Sequence, residues 1–139
     1  MKTITTYLSF DGNCREAISF YQECLEAELQ VNPYPDANGP PSTDPAAGIM
    51  HAQLGRAGAP ILMASDTPQA GSVRLGNNFS VAIDCDSLEE VDRLFASLSR
   101  KGEIRMPLTD APWGARFGML TDQFGIHWML NCYLAARRT

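Results

Sequence analysis

One pattern occurs twice in this chain, and it limits the available folds more than any other feature. A half-buried strand is followed by a capped amphipathic helix and then by three more strands, and the whole order then begins again. The first strand reads over 3–10, where Ile4, Leu8 and Phe10 alternate with Thr5, Tyr7 and Ser9. Asp11-Gly12 makes the turn into a helix. Asn13 is its expected cap and Glu16 completes a capping box three residues on. Ala17, Phe20, Tyr21, Cys24 and Leu25 fall on one helical face. Strands are expected near 28–33, 49–55 and 60–65.

The second round opens with a strand in "NNFSVAIDCD", residues 77–86, with Phe79, Val81 and Ile83 on one face. Ser87 caps the second helix and Glu90 completes its capping box. Leu88, Val91, Leu94, Phe95 and Leu98 form the apolar stripe, and Gly102 is the expected left-handed stop. Strands near 103–108, 115–121 and 126–132 follow. The expected fold is therefore α+β, two βαβββ modules at about 1–66 and 76–134 within one domain of 139 residues. Each module gives a small sheet with a helix on one face. The other faces are expected to line a shared cup suited to a small molecule.

The rest of the chain narrows the function classes. Eleven basic against sixteen acidic residues give a net charge of -5, and no basic run is longer than the pairs Arg100-Lys101 and, at the very end, Arg137-Arg138. Nucleic acid and anionic membrane are not expected partners. No apolar run approaches the roughly 20 residues of a membrane span, and the first ten residues read as a strand rather than a secretory signal. A cytoplasmic protein is expected. Cys14, Cys24, Cys85 and Cys132 form no CxxC pair and are expected to be buried. Cys14 is the exception to test, because a helix start can lower a thiol pKa. The segment 34–48, with four prolines and two glycines, reads as a long loop.

The chain has two histidines. If Met50 and Ala52 face the helix, His51 faces the cup. Alternation in 126–132 puts His127, Met129 and Asn131 in the cup and Ile126, Trp128 and Leu130 in the core. Three readings of the histidines stand side by side. They are hydrogen-bonded or rim residues, or one is a general base or ligand donor, or both hold a relocated metal with Asp66 or Asp84. Tyr7 and Ser80 are also placed in the cup. Trp113 and Gly114 form either a packed corner or an aromatic wall, with Arg116 clamping an anion in the second case.

The segments "GNCREAISFYQECL", "MHAQL", "LMASDTP", "NFSVAIDCDSLEEVDRLF", "MPL" and "WGARFGMLTDQFGIHWMLN", in that order, resemble the PhnB-like branch of the vicinal oxygen chelate superfamily. That superfamily includes glyoxalase I, bleomycin-resistance proteins, fosfomycin-resistance enzymes and extradiol dioxygenases. The resemblance implies a homodimer. In its metalloenzymes, four strands each supply one His or Glu to a divalent metal. Those positions fall here at Thr5 (or Thr6), Met63 (or Ser65), Ser80 and Met129. None of them is a carboxylate or an imidazole, so no metal and no other cofactor is expected. The expected cup is lined by Tyr7, His51, Met63, Ser65, Ser80, Trp113, Arg116, His127 and Met129. The expected function is small-molecule binding by a glyoxalase-like protein of unassigned activity. The alternatives are a divalent-metal lyase, isomerase or dioxygenase, and the ubiquinone-pathway methyltransferase activity sometimes attached to such sequences by name. The last would want a glycine-rich strand-to-helix loop, which the sequence lacks.

Overall fold

The computed structural model describes residues 1–36, 39–40, 42–44 and 47–134. Parts of the 34–48 segment and of the C-terminal LAARRT stretch lie outside those residues. The chain divides into two compact units, Met1–Arg74 and Leu75–Thr139, and each has the βαβββ order. Among the described residues, no helix is long and apolar enough to cross a membrane.

The first unit contains β1 (Thr6–Phe10), α1 (Cys14–Leu25), β2 (Glu28–Pro33), β3 (Ile49–Arg56) and β4 (Ala59–Asp66). Its sheet runs β1-β4-β3-β2, with β1 parallel to β4 and the other pairs antiparallel. Alternation decides which face is buried. Leu8, Phe10, Ala52, Leu54, Leu62 and Ala64 pack beneath Ala17, Ile18, Tyr21, Cys24 and Leu25 of α1. Ile18 takes the core place expected of Phe20, which is only half-buried. β1 starts at Thr6 rather than residue 3, and Ile4, expected on the buried face, lies 88% exposed outside the ladder.

The start of α1 departs from the expected capping box. Asn13 makes no side-chain capping bond. Instead the buried Asp66, at the end of β4, reaches the helix start from across the sheet. Its Oδ1 accepts from the N–H groups of Gly12 (3.0 Å) and Cys14 (2.9 Å), and its Oδ2 accepts from Ile49 N–H (2.9 Å). A carboxylate at a helix N-terminus also complements the helix dipole. A local cap was legible only as a residue type; the acceptor that replaced it comes from 52 residues away.

The second unit contains β5 (Val81–Asp84), α2 (Leu88–Leu98), β6 (Glu103–Ala111), β7 (Ala115–Thr121) and β8 (His127–Tyr133). Its sheet runs β5-β8-β7-β6, with β5 parallel to β8. Here the capping box forms: Ser87 Oγ accepts from Glu90 N–H (3.1 Å), while Glu90 reaches back to Asp86 N–H (2.9 Å). Val91, Leu94, Phe95 and Leu98 are buried against Leu120, Trp128 and Leu130. Leu88, expected in the stripe, sits in the first turn and stays 37% exposed. β5 is shorter than expected, and Phe79 lies outside it, exposed.

Gly102 is needed for a different reason from the expected one. Lys101, with φ 57°, takes the left-handed position after α2. Gly102 lets the backbone pass close to β7, where a Cβ would collide with the Thr121 carbonyl. Asp122 fixes the β7–β8 turn: Oδ1 accepts from Phe124 and Ile126 N–H, and Oδ2 accepts from the indole N–H of Trp128 (2.8 Å).

Candidate functional site

Each sheet has one face turned away from its helix, and the register shows which side chains share it. In the first unit, Tyr7 lies beside Met63, and Met63 lies beside Gln53, across three adjacent strands. Ser65 pairs with Ser9 on the same face. His51 is on that face too, although Met50 is not its opposite: Met50 is 47% exposed at a β2–β3 register shift, and Ala52 alone fixes the side. The Tyr7 hydroxyl is hydrogen-bonded to Nδ1 of His51 at 3.1 Å, with ring centroids 5.7 Å apart. The first unit therefore groups Tyr7, His51, Met63 and Ser65 as the sequence suggested. Gln53 and Gln30, paired across β2 and β3, join them; long polar side chains at alternate positions were the available signal.

In the second unit, His127, Met129 and Asn131 on β8 face the same way as Thr121, Met119 and Phe117 on β7. His127 is engaged at both ring nitrogens. Nε2 lies 2.7 Å from the Gly76 carbonyl and Nδ1 lies 2.8 Å from the Thr121 hydroxyl. A carbonyl only accepts, so Nε2 carries the hydrogen and, in the neutral ring, Thr121 donates to Nδ1. That is the hydrogen-bonded reading of this histidine. The ring has no lone pair left for proton abstraction or metal ligation.

A cavity of about 100 Å³ opens beside it, lined by Asn77, Ser80, Arg105, Met119 and His127 and by the strand positions of Leu120 and Trp128, whose side chains are buried on the helix side. Ser80 precedes β5 rather than lying within it. Arg105, Asn77 and Met119 escaped the sequence reading. Met119 was open to alternation. Arg105 was not, because it occupies a bulge that breaks the pattern.

Two expected cup residues are elsewhere. Arg116 pairs with Cys132 on the helix side of the sheet. Its guanidinium holds Asp110 (2.7 Å) and Asp92 of α2 (3.1 Å), so it clamps the protein's own carboxylates instead of a ligand. The hydrogen bond from Arg116 holds the Asp110 carboxyl below its usual range. Trp113, 53% exposed in the β6–β7 turn, meets Phe117 edge-on at 6.0 Å. Phe117 faces away from the helix, so Trp113 borders that face through this ring contact.

Cys14 does not have the activated thiol that its helix-start position allowed. Burial, with the Asp66 carboxylate adding to it, pushes the thiol up to about 12 against partial relief from Arg15. Cys85 is likewise pushed up to about 12, by burial and then by Glu90. All four cysteines are buried thiols outside any disulfide. At pH 8 the native protein is expected to resist iodoacetamide at every cysteine, as read by mass spectrometry; fast labelling of Cys14 would contradict this. Thiols that ionise near pH 8.5 when unfolded but only near 12 when folded stabilise the fold fully below that lower value. This contribution is lost as pH rises toward 12.

Known proteins match along nearly the whole chain. Residues 3–130 match the Glyoxalase/Bleomycin resistance protein/Dioxygenase superfamily. The chain belongs to this superfamily. Protein YjdN of Escherichia coli (strain K12) is 34% identical, over 92% of this chain and 93% of its own. The crystal structure of PA1353 from Pseudomonas aeruginosa is 40% identical with a TM-score of 0.82, covering 96% of this chain and 99% of that one. The PhnB protein from Bacillus cereus, provisionally called a 3-demethylubiquinone-9 3-methyltransferase, is 31% identical with a TM-score of 0.77 over 94% and 99%. That likeness places the chain in the PhnB-like branch of the superfamily.

The metal of the superfamily's metalloenzymes does not fit these residues. Of the positions that would supply ligands, Thr5 precedes β1 and Ser80 precedes β5, while Met63 and Met129 present thioethers. A hard divalent cation needs oxygen or imidazole donors. Among the described residues, no three His, Cys, Asp or Glu side chains come together to hold an ion. The relocated site fares no better. Asp66 is buried and committed to three backbone N–H groups, Asp84 accepts from Asn131, and His127 is engaged at both nitrogens.

Proposed function

We propose that this superfamily member binds a small organic molecule and does so without a divalent metal. The carrying observation is the cavity of about 100 Å³ on the second sheet, lined by a committed histidine, a methionine, an arginine and small polar side chains. A pocket that sets the apolar Met119 side chain beside a few polar groups suits a small molecule better than an ion. The homodimer and the cytoplasmic location expected from the sequence belong to the same proposal. The methyltransferase name of the Bacillus relative is not carried over. The strand-to-helix turns here are residues 11–13 and 85–87, too short to wrap a nucleoside cofactor.

The test is a thermal-shift titration of metal-stripped protein with Ni, Mn, Fe(II), Zn and Co, beside metal analysis of untreated protein. The expected result is no stoichiometric metal and a shift below about 1 °C at one equivalent. A shift of several degrees would instead support a metal-dependent lyase, isomerase or dioxygenase.

A further inference from the structure

We infer that the cavity of the second unit selects small carboxylates, with Arg105 as the anion anchor and His127 as the residue that builds the cavity wall. The inference rests on the small-molecule reading above and names the ligand class.

Arg105 owes its place to a break in the sheet. Ile104 pairs with Leu120 and Met106 pairs with the adjacent Met119, so Arg105 is the extra residue of a β6 bulge. Bulges re-aim side chains, and Arg105 lines the cavity. Among the described residues it has no hydrogen bond or ion pair. Arg116, by contrast, is held by two carboxylates. In a chain of net charge -5, the guanidinium that reaches this cavity is therefore available to an outside anion. Its planar fork matches a carboxylate in a bidentate pair. Ser80 and Asn77 add neutral hydrogen-bonding groups, while the Met119 side chain offers an apolar surface to a short tail.

The wall carrying Ser80 and Asn77 is the 75–80 segment, which belongs to neither β5 nor a helix. It is tied to the sheet at two points. His127 Nε2–H donates to the Gly76 carbonyl. The Leu75 side chain lies against Gly125, where a Cβ would come within 2.7 Å of Leu75 Cδ1. His127 is thus a positioning residue that acts through Gly76.

The probe is pentanoate, with pentanamide as its neutral isostere, titrated by amide NMR. Pentanoate is expected to bind and to shift the amides of Ser80, Arg105, Met119 and His127, while pentanamide binds at least tenfold more weakly. Arg105→Gln should weaken pentanoate about tenfold to a hundredfold with no change in Tm, because its side chain makes no contact that the fold needs. His127→Gln should weaken binding and speed amide exchange at 76–80, and His127→Ala should do so more strongly; a purely structural loss would lower Tm without singling out that segment. Equal binding of acid and amide would overturn the anion inference and leave the small-molecule reading standing. Shifts elsewhere, or full affinity in Arg105→Gln, would overturn the assignment of Arg105. Binding of neither probe would overturn the inference; the metal titration then judges the small-molecule reading separately.

Discussion

Replacing Asp66 by alanine is expected to cost about 4 kcal/mol of unfolding free energy, from three N–H groups that each lose an acceptor at roughly 1–2 kcal/mol. Two of those groups, on Cys14 and Ile49, are buried, and water cannot replace the carboxylate. The three bonds join the end of β4, the start of α1 and the start of β3. Losing them loosens the helix and the sheet together. Urea unfolding followed by circular dichroism gives the number. Asp66→Asn keeps the shape and one acceptor oxygen but presents an amide NH₂ group to one set of donors, so it should lose about half as much. A loss below about 1 kcal/mol in Asp66→Ala would show that the helix start is held by something else.

The second large effect is Trp128→Ala, expected at about 3–5 kcal/mol. Trp128 is the largest fully buried side chain, 1% exposed between Leu120 on β7 and Val81 on β5. Truncation leaves a cavity and strips Asp122 Oδ2 of its indole donor. Trp128→Phe fills most of the volume but not the hydrogen bond, which separates the two contributions. If alanine and phenylalanine cost the same, packing is not the main term.

Much of this molecule was legible along the chain. Period-two alternation in β8 put Trp128 and Leu130 on the buried face, because a sheet covered by a helix on one side must alternate. The α2 capping box was readable because all of its atoms lie within five residues. The family was readable from six segments in fixed order, and the match over residues 3–130 bears it out.

The sequence by itself determined the two βαβββ units and most of the core positions. Each of these depends on residue type and local period. Only the tertiary structure decided the rest. Asp66 caps α1 because the parallel pairing of β1 with β4 brings residue 66 beside residue 10. Arg116 turns to the helix because its register partner is the buried Cys132 and Asp92 waits on α2. His127 is committed to the backbone because the 75–80 segment folds over it, and Arg105 reaches the cavity because a bulge breaks the alternation. Long-range pairing and a one-residue slip leave no periodic trace in the chain, and those two determine which polar groups remain to meet a ligand.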